Sequence, residues 1–370
     1  MRARAAVLWE TKSPWVVQDV EIDAPKAGEV LVKLVATGLC HSDDHVRTGD
    51  LPIPLPIIGG HEGAGIVHEV GPEVNGVEVG DHVVLSFIPS CGKCRWCATG
   101  QSNLCDRGAA IAGGKQLDGT FRAHAEGKDL GSMLLLGAFG NYAVVAEDSV
   151  VKIDKDIPLE LACLTGCGVM TGWGSAVNTG EVSPGDTVVV VGIGGIGANA
   201  VQGAKMAGAE NVVAVDVADG KKEMVARLGA THFAGSVEEA KGLVNELTRG
   251  VMADVAILTV GVAHGDMVQQ MLELIRKGGR VVITALARMG ELDAKLHLME
   301  LTSFQKQIRG SLFGAGNPRS DIPRLLGLYK SGQLKLDELV TKQYRLDEIN
   351  EAYDDMMAGR LLRGVIVHEH

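Results

Sequence analysis

Aromatic side chains are scarce in this 370-residue chain, at 4% of the sequence, too few to suggest the stacking platforms that hold single-stranded nucleic acid. Positive charge is also in deficit. The formal net charge is −11 and no basic block stands out, which argues against a nucleic-acid surface. No apolar run approaches the roughly 20 residues that a membrane-spanning helix needs. Between Arg4 and Glu10 lie five uncharged residues, fewer than the roughly 7–15 of an export signal's apolar core, so a cytoplasmic protein is expected. Long linkers, low-complexity tracts and 20–50-residue repeats are missing too, which excludes a solenoid. What remains is an ordinary globular balance, 46% apolar and 22% charged. Its length exceeds the roughly 250–300 residues at which one core stops growing, so two domains are predicted.

The cysteines are seven, an odd number. Without an export signal, metal binding is favoured over a disulfide framework. Cys91, Cys94, Cys97 and Cys105 have spacings that let four thiolates converge on one tetrahedral ion, the preference of a structural zinc. A second set of zinc-type ligands, Cys40, His61 and Cys167, is three rather than four, which leaves a position for water or substrate. Separations of 21 and 106 residues impose no local geometry on that set. Cys163 is expected to be a small buried hydrophobe.

The first ~150 residues read as short strands cut by Gly and Pro, over 29–35, 65–70, 81–86 and 141–145. From Asp186 strand and helix alternate, with strands over 187–191, 212–216, 253–260 and 280–285, the pattern of crossover units on a parallel sheet. Further strands are predicted over 308–313 and 364–367. The predicted organisation is α/β: a β-rich zinc domain over 1–168, a doubly wound parallel-sheet domain over 169–311, and a return segment over 312–370 that completes the first.

Val188 to Val191 run into Gly192-Ile193-Gly194-Gly195-Ile196-Gly197, a dinucleotide fingerprint. Gly192 permits the tight turn, Gly194 a close approach to pyrophosphate, and Gly197 close packing of helix on strand, with Ile196 inside the loop. Asp216 stands 19 residues beyond Gly197, near the ~20 expected of the acid that holds the adenosine ribose. A carboxylate there repels a 2′-phosphate, so NAD is favoured over NADP. An alcohol at an open zinc site loses its proton near neutral pH, as metal-bound water does, and can then yield a hydride to a nicotinamide. Ser42 and His45, two and five residues beyond Cys40, can relay that proton to solvent, although His45 also reads as a plain loop histidine.

These residues resemble the zinc-dependent, medium-chain alcohol dehydrogenases. The likeness is carried by Gly60-His61-Glu62-Gly63-Ala64-Gly65 with Gly71 and Val74, by Gly38-Leu39-Cys40-His41-Ser42-Asp43, and by Thr165-Gly166-Cys167-Gly168. It implies a GroES-like catalytic domain joined to a Rossmann-type coenzyme domain, with two zinc ions per chain and NAD. Two cysteines and a histidine are the known catalytic zinc ligands of alcohol dehydrogenases, which maps that role onto Cys40, His61 and Cys167. Glu62 becomes the nearby carboxylate and Asp43 the acceptor for the free nitrogen of His61. Ser42, a ribose hydroxyl and His45 become the proton relay. Thr171 faces the nicotinamide, Lys221 joins Asp216, and Arg363 reaches the pyrophosphate. His41 stands where many relatives carry arginine, which alters the phosphate grip there. Phe87 and Leu135 are expected to wall an apolar pocket for a primary or aromatic alcohol.

The run Leu85-Ser86-Phe87-Ile88-Pro89-Ser90-Cys91 and the Arg-Gly-Val-Ile-Val-His ending are similar to a bacterial nitroso-dimethylaniline-dependent branch. That likeness implies NAD retained as a bound cofactor, enclosed by 285–298 and Arg363. The broader family likeness implies a homodimer or homotetramer, built by pairing the strand near 308–313 with its twin. The expected activity is interconversion of a small alcohol and its aldehyde. Two alternatives stand beside it: a dehydrogenase of thiol–formaldehyde adducts, and a non-catalytic zinc and nucleotide scaffold. The first lacks an arginine-rich patch near Phe87 or Leu135, and the second has no use for an open zinc with a proton exit. Met170 and Trp173 read equally as pocket lining or core. His68, His82, His124, His232, His264 and His297 have no partner motif, and His368-Glu369-His370 is expected to fray.

Overall fold

The computed structural model describes every residue except Glu291 and Asp293. The chain forms two compact units, 1–167 with 317–370, and 168–316. Among the described residues no helix is long and apolar enough to cross a membrane.

The first unit is built around the strand Glu29–Gly38, in which Val30, Leu31, Val32 and Leu34 are buried on both faces. Such a strand must be paired along both edges. Glu62–Val70 lies antiparallel along one, from Val30 opposite Val70 to Gly38 opposite Glu62. Two strands share the other: Tyr142–Ala146 opposite residues 29–33, and Arg363–Val367 opposite residues 36–38. His82–Leu85, Val150–Ile153 and Val340–Arg345 complete a seven-stranded sheet. A small closed barrel, from Arg2–Leu8, Val16–Ile22, Ala123–Ala125, Lys128–Ser132 and Ile57–Ile58, forms the rest of the β structure.

The carboxy terminus does not fray. His368 donates its backbone N–H to Val35 O, His370 Nε2 lies 2.7 Å from Leu34 O, and His368 Nε2 lies 3.1 Å from Thr37 Oγ1. Thr37 gives its one proton to Ala138 O, so His368 Nε2 must be the donor to it. Burial holds that imidazole neutral, with its pKa pushed down to about 3. The tail is fixed because it extends an edge of the central strand, a tertiary contact that no local pattern announces.

The second unit holds a six-stranded parallel sheet. Its strands are β1 (Thr187–Val191), β2 (Asn211–Val215), β3 (His232–Ala234), β4 (Ala253–Leu258), β5 (Ile275–Ile283) and β6 (Gln307–Gly310), in the order β3-β2-β1-β4-β5-β6. This is the doubly wound dinucleotide arrangement, with its switch point between β1 and β4. The strand expected over 308–313 stops at Gly310 because Phe313, Gly314 and Ala315 turn with φ of 55°, 66° and 49°, which a ladder cannot accommodate.

Helix α2 (Gly168–Gly174) crosses α3 (Gly195–Met206), the helix that follows the glycine loop. The crossing is close enough that a Cβ on Gly172 would stand 2.1 Å from Ile196 O. The obstacle is backbone, so relief requires the helices to part. Gly172→Ala is therefore expected to destabilise the protein by about 1–3 kcal/mol or more, measured by urea denaturation. Wild-type stability in that variant would refute the close crossing.

Candidate metal centres and nucleotide loop

Strand register assembles the first cluster. Because Gly38 pairs with Glu62, Cys40 just past the end of one strand meets His61 just before the start of the other. Cys167 follows the helical turn Cys163–Gly166, packed against the strand ends at Leu85. Ligand atoms of Cys40, His61, Glu62 and Cys167 all lie within 4.8 Å of one another, and all four residues are buried. Gly38 is a requirement that the motif itself did not reveal. A Cβ there would stand 2.3 Å from Glu62 Oε2 and 2.9 Å from Arg363 Nη2, so any side chain would displace that pair.

The donor chemistry fits a divalent cation. A hydrogen bond from the Cys167 thiol holds Cys40 well below the ordinary thiol range, and the same bond pushes Cys167 well above it. Two sulfurs so close cannot both ionise without a cation between them. Burial opposes a charged His61, but Asp43 and the Cys40 thiolate outweigh it and raise its pKa well above normal. Asp43 Oδ2 lies 3.0 Å from His61 Nδ1, and Asp43 Oδ1 accepts Gly60 N–H at 2.8 Å, which leaves Nε2 for the cluster. Glu62 is 0% exposed and pairs with Arg363, itself 5% exposed. Burial pushes the Glu62 carboxyl up to about 7 against the pull of Arg363. Two thiolates neutralise a divalent ion, and Glu62 with Arg363 neutralise each other. That charge balance favours two sulfurs and one imidazole as ligands, with a position left over.

Cys91, Cys94, Cys97 and Cys105 converge as well, their sulfurs within 4.8 Å of one another and all unoxidised. Cys94 caps the short helix Arg95–Ala98, taking the Cys97 N–H at 3.5 Å, and Cys91 takes the Cys94 N–H at 3.4 Å. The Cys97 amide holds Cys94 down at about 6, whereas burial pushes Cys105 up to about 12. Four sulfurs with backbone donors already aimed at two of them suit a closed tetrahedral site.

In the second unit Gly192 has φ of 93° and leaves the end of β1 for α3, whose first residue is Gly195; Gly194 is its N-cap residue and Gly197 is buried within it. Asp216, just past β2, accepts Ile193 N–H and Lys221 Nζ on Oδ2, at 2.8 and 2.9 Å, and Ala218 N–H on Oδ1 at 2.9 Å. Asp216 and Lys221 thus form an ion pair, and the carboxylate also anchors the glycine loop. Ile196 is half-buried and Thr171 buried in α2.

Ser42 Oγ lies 3.7 Å from Cys40 Sγ, and His45 sits one turn later on α1 (His41–Thr48), 3.7 Å from Asp50. His41 is exposed on the same helix. The Phe87 ring meets His61 edge-on at 5.8 Å, which places it at the metal cluster. Leu135 is completely buried, its carbonyl accepting from Gln116. Arg363 Nη2 is committed to Leu39 O as well as Glu62. Cys163 is buried, as are Met170 and Trp173. Of the stretch 285–298, Glu291 and Asp293 lie outside the described residues, while Leu286, Met289 and Leu292 are exposed. Three expected bystanders have partners: His124 bridges Asp23 and Asp129, His297 caps the helix Leu298–Ser303, and His68 stacks edge-on against Tyr142.

Comparison with known proteins agrees with this arrangement. Residues 26–155 match the alcohol dehydrogenase GroES-like domain and residues 195–331 the zinc-binding dehydrogenase family. The NDMA-dependent alcohol dehydrogenase of Amycolatopsis methanolica is 53% identical, covering 100% of this chain and 99% of its own. Among solved structures, benzyl alcohol dehydrogenase from Acinetobacter calcoaceticus superposes with a TM-score of 0.93 at 33% identity, covering 100% of both chains. An alcohol dehydrogenase zinc-binding domain protein from Burkholderia ambifaria gives 0.94 at 34%, again over 100% of both. With this likeness along its full length, the chain belongs to the zinc-dependent, medium-chain alcohol dehydrogenase family.

Proposed function

We propose that this protein interconverts a small alcohol and its aldehyde by hydride transfer with NAD, in the cytoplasm. The observation that carries it is the buried convergence of Cys40, His61 and Cys167, with Glu62 beside them paired to Arg363, in a chain that also carries the glycine loop and Asp216. Zinc there supplies Lewis acidity that acidifies an alcohol, and NAD supplies the hydride acceptor. Cys40, His61 and Cys167 would hold the ion, with Asp43 fixing the imidazole so that Nε2 faces it. Ser42 and His45, with a coenzyme ribose hydroxyl between them, would carry the alcohol proton to solvent. Phe87 would wall the substrate side and exclude water. Asp216 and Lys221 would hold the adenosine ribose, and Asp216 would reject a 2′-phosphate. A plain alcohol is favoured over a thiol adduct because the relatives just described are named for alcohols.

Purified protein should carry two zinc ions per chain by elemental analysis. Cys97→Ala should lose one of them along with thermal stability, and Cys167→Ala should abolish turnover while the fold persists. Asp43→Asn should cost roughly 10–100-fold in metal affinity or activity. One zinc or none in intact wild-type protein would defeat the two-site assignment.

Likeness to the NDMA-dependent relative supports NAD held as a resident cofactor. After extensive dialysis, denatured protein should release about one NAD or NADH per chain, since retention means slow dissociation. Alcohol oxidation with nitroso-dimethylaniline should then proceed without added NAD. A site found empty, with saturable dependence on free NAD, would reject retention. Release of NADP instead would overturn the role of Asp216.

A homodimer or a dimer of such dimers is supported by β6, which closes the sheet order with one edge turned outward. An outward edge invites pairing, and two-fold closure is the commonest way to satisfy it. Light scattering at micromolar concentration should report a dimer or tetramer, and a monodisperse monomer would refute it.

A further inference from the structure

Four buried hydroxyls in the second unit form one connected array. Ser175 Oγ lies 2.7 Å from Thr171 O, 2.9 Å from Thr284 Oγ1 and 3.0 Å from Ser311 Oγ, and Thr179 Oγ1 lies 2.9 Å from Ser311 Oγ. Each hydroxyl has one proton to give and lone pairs to receive others. A carbonyl can only accept, so the Ser175 proton goes to Thr171 O. Thr284 and Ser311 must therefore both donate to Ser175. Ser311, its proton committed, must accept from Thr179. Every bond direction is thus determined, and no hydroxyl in the array is left to rotate between alternatives.

Its place in the sheet indicates what that rigidity serves. Thr284 and Ser311 are the first residues beyond the carboxyl ends of β5 and β6, and ligands of open parallel sheets lie outside those ends. A dinucleotide spans two halves of such a sheet. The β1–β3 half carries the glycine loop and Asp216, which marks the adenosine side, so the β4–β6 half is left for nicotinamide. Ser175 and Thr179 bound a π-helical turn, Ser175–Thr179, directly after α2, and such turns recur at functional sites. From it, Asn178 Nδ2 also donates to Gly314 O at 3.0 Å, which adds the left-handed turn after β6 to the same support. The backbone N–H of Ser311 reaches Ile283 O and that of Thr284 reaches Leu258 O, so the array ties α2 to three adjoining strand ends.

Resting on the NAD assignment, we propose that Ser175, Thr179, Thr284 and Ser311 are positioning residues for the nicotinamide end of the coenzyme. They act through the backbone of Thr171 and of the strand ends, holding in one register the segments against which the ring lies. Adenosine binding depends on the other half of the sheet and is independent of them.

The test compares NADH with ADP-ribose, which keeps the adenosine and pyrophosphate but lacks nicotinamide, by calorimetric titration of the full chain cleared of coenzyme. Ser175→Ala and Thr284→Val should each weaken NADH about tenfold, the scale expected when buried hydroxyl partners are left unsatisfied, and leave ADP-ribose affinity unchanged. Thr284→Ser, which keeps the hydroxyl, should restore NADH binding. If Ser175→Ala does not fold, the Thr284 pair still decides the matter. Equal loss of both ligands, or loss of neither, would overturn the array's role while the coenzyme assignment stands. Wild-type protein that binds no NADH would overturn the coenzyme assignment first, and the array with it.

Discussion

The buried pair of Glu62 and Arg363 is the contact on which the catalytic unit depends. It sits where three strands meet, at the ends of Glu29–Gly38 and Glu62–Val70 and the start of Arg363–Val367. An isolated carboxylate in that position would be driven to its neutral form by desolvation, and an isolated guanidinium cannot shed its proton at all. Each is tolerable only with the other present. Because the pair absorbs its own charge, the two sulfurs and the imidazole alongside it are free to answer to a metal. Gly38 exists to leave room for this arrangement, so a backbone position, a salt link and a ligand set form a single device.

The coenzyme unit follows a different rule, in which carboxylates and glycines fix backbone rather than charge. Asp216 holds the amide of Ile193 in the glycine loop and that of Ala218 just past β2. One side chain thereby ties the glycine turn to the end of the neighbouring strand. Gly172 lets α2 run directly against α3, so the helix that carries Thr171 is packed backbone to backbone on the helix that follows the loop. Preorganisation of this kind lowers the cost of ordering on binding.

How much of this was legible in the sequence depends on how local the determinant is. The Cys91–Cys105 cluster and the glycine loop are close-spaced patterns, and their geometry follows from a turn or two of chain. Cys40, His61 and Cys167 have no such spacing; they meet through strand register and through the packing of a helical turn, so only family likeness could single them out. Arg363 was expected at a phosphate, and its partners in the catalytic unit, Glu62 and Leu39 O, could not be read from a residue 301 and 324 positions away. The docked tail differs from expectation because it depends on what lies across from it, and β6 ends early because three successive residues, Phe313 to Ala315, take positive φ. Ser175, Thr179, Thr284 and Ser311 left no trace at all, since buried serines and threonines look like any others until their neighbours are known.

The Glu62–Arg363 link also sets an order of events during synthesis. The arginine is made 301 residues after the glutamate, roughly 15–60 s later at roughly 5–20 residues per second. Between them the ribosome delivers the entire nucleotide-binding unit, a self-contained sheet that can close while the catalytic unit still lacks the strand that lies between Glu29–Gly38 and Val340–Arg345. The strand that carries Arg363 therefore acts as a latch, the late-made partner without which the carboxylate beside the metal ligands has no cation to balance it.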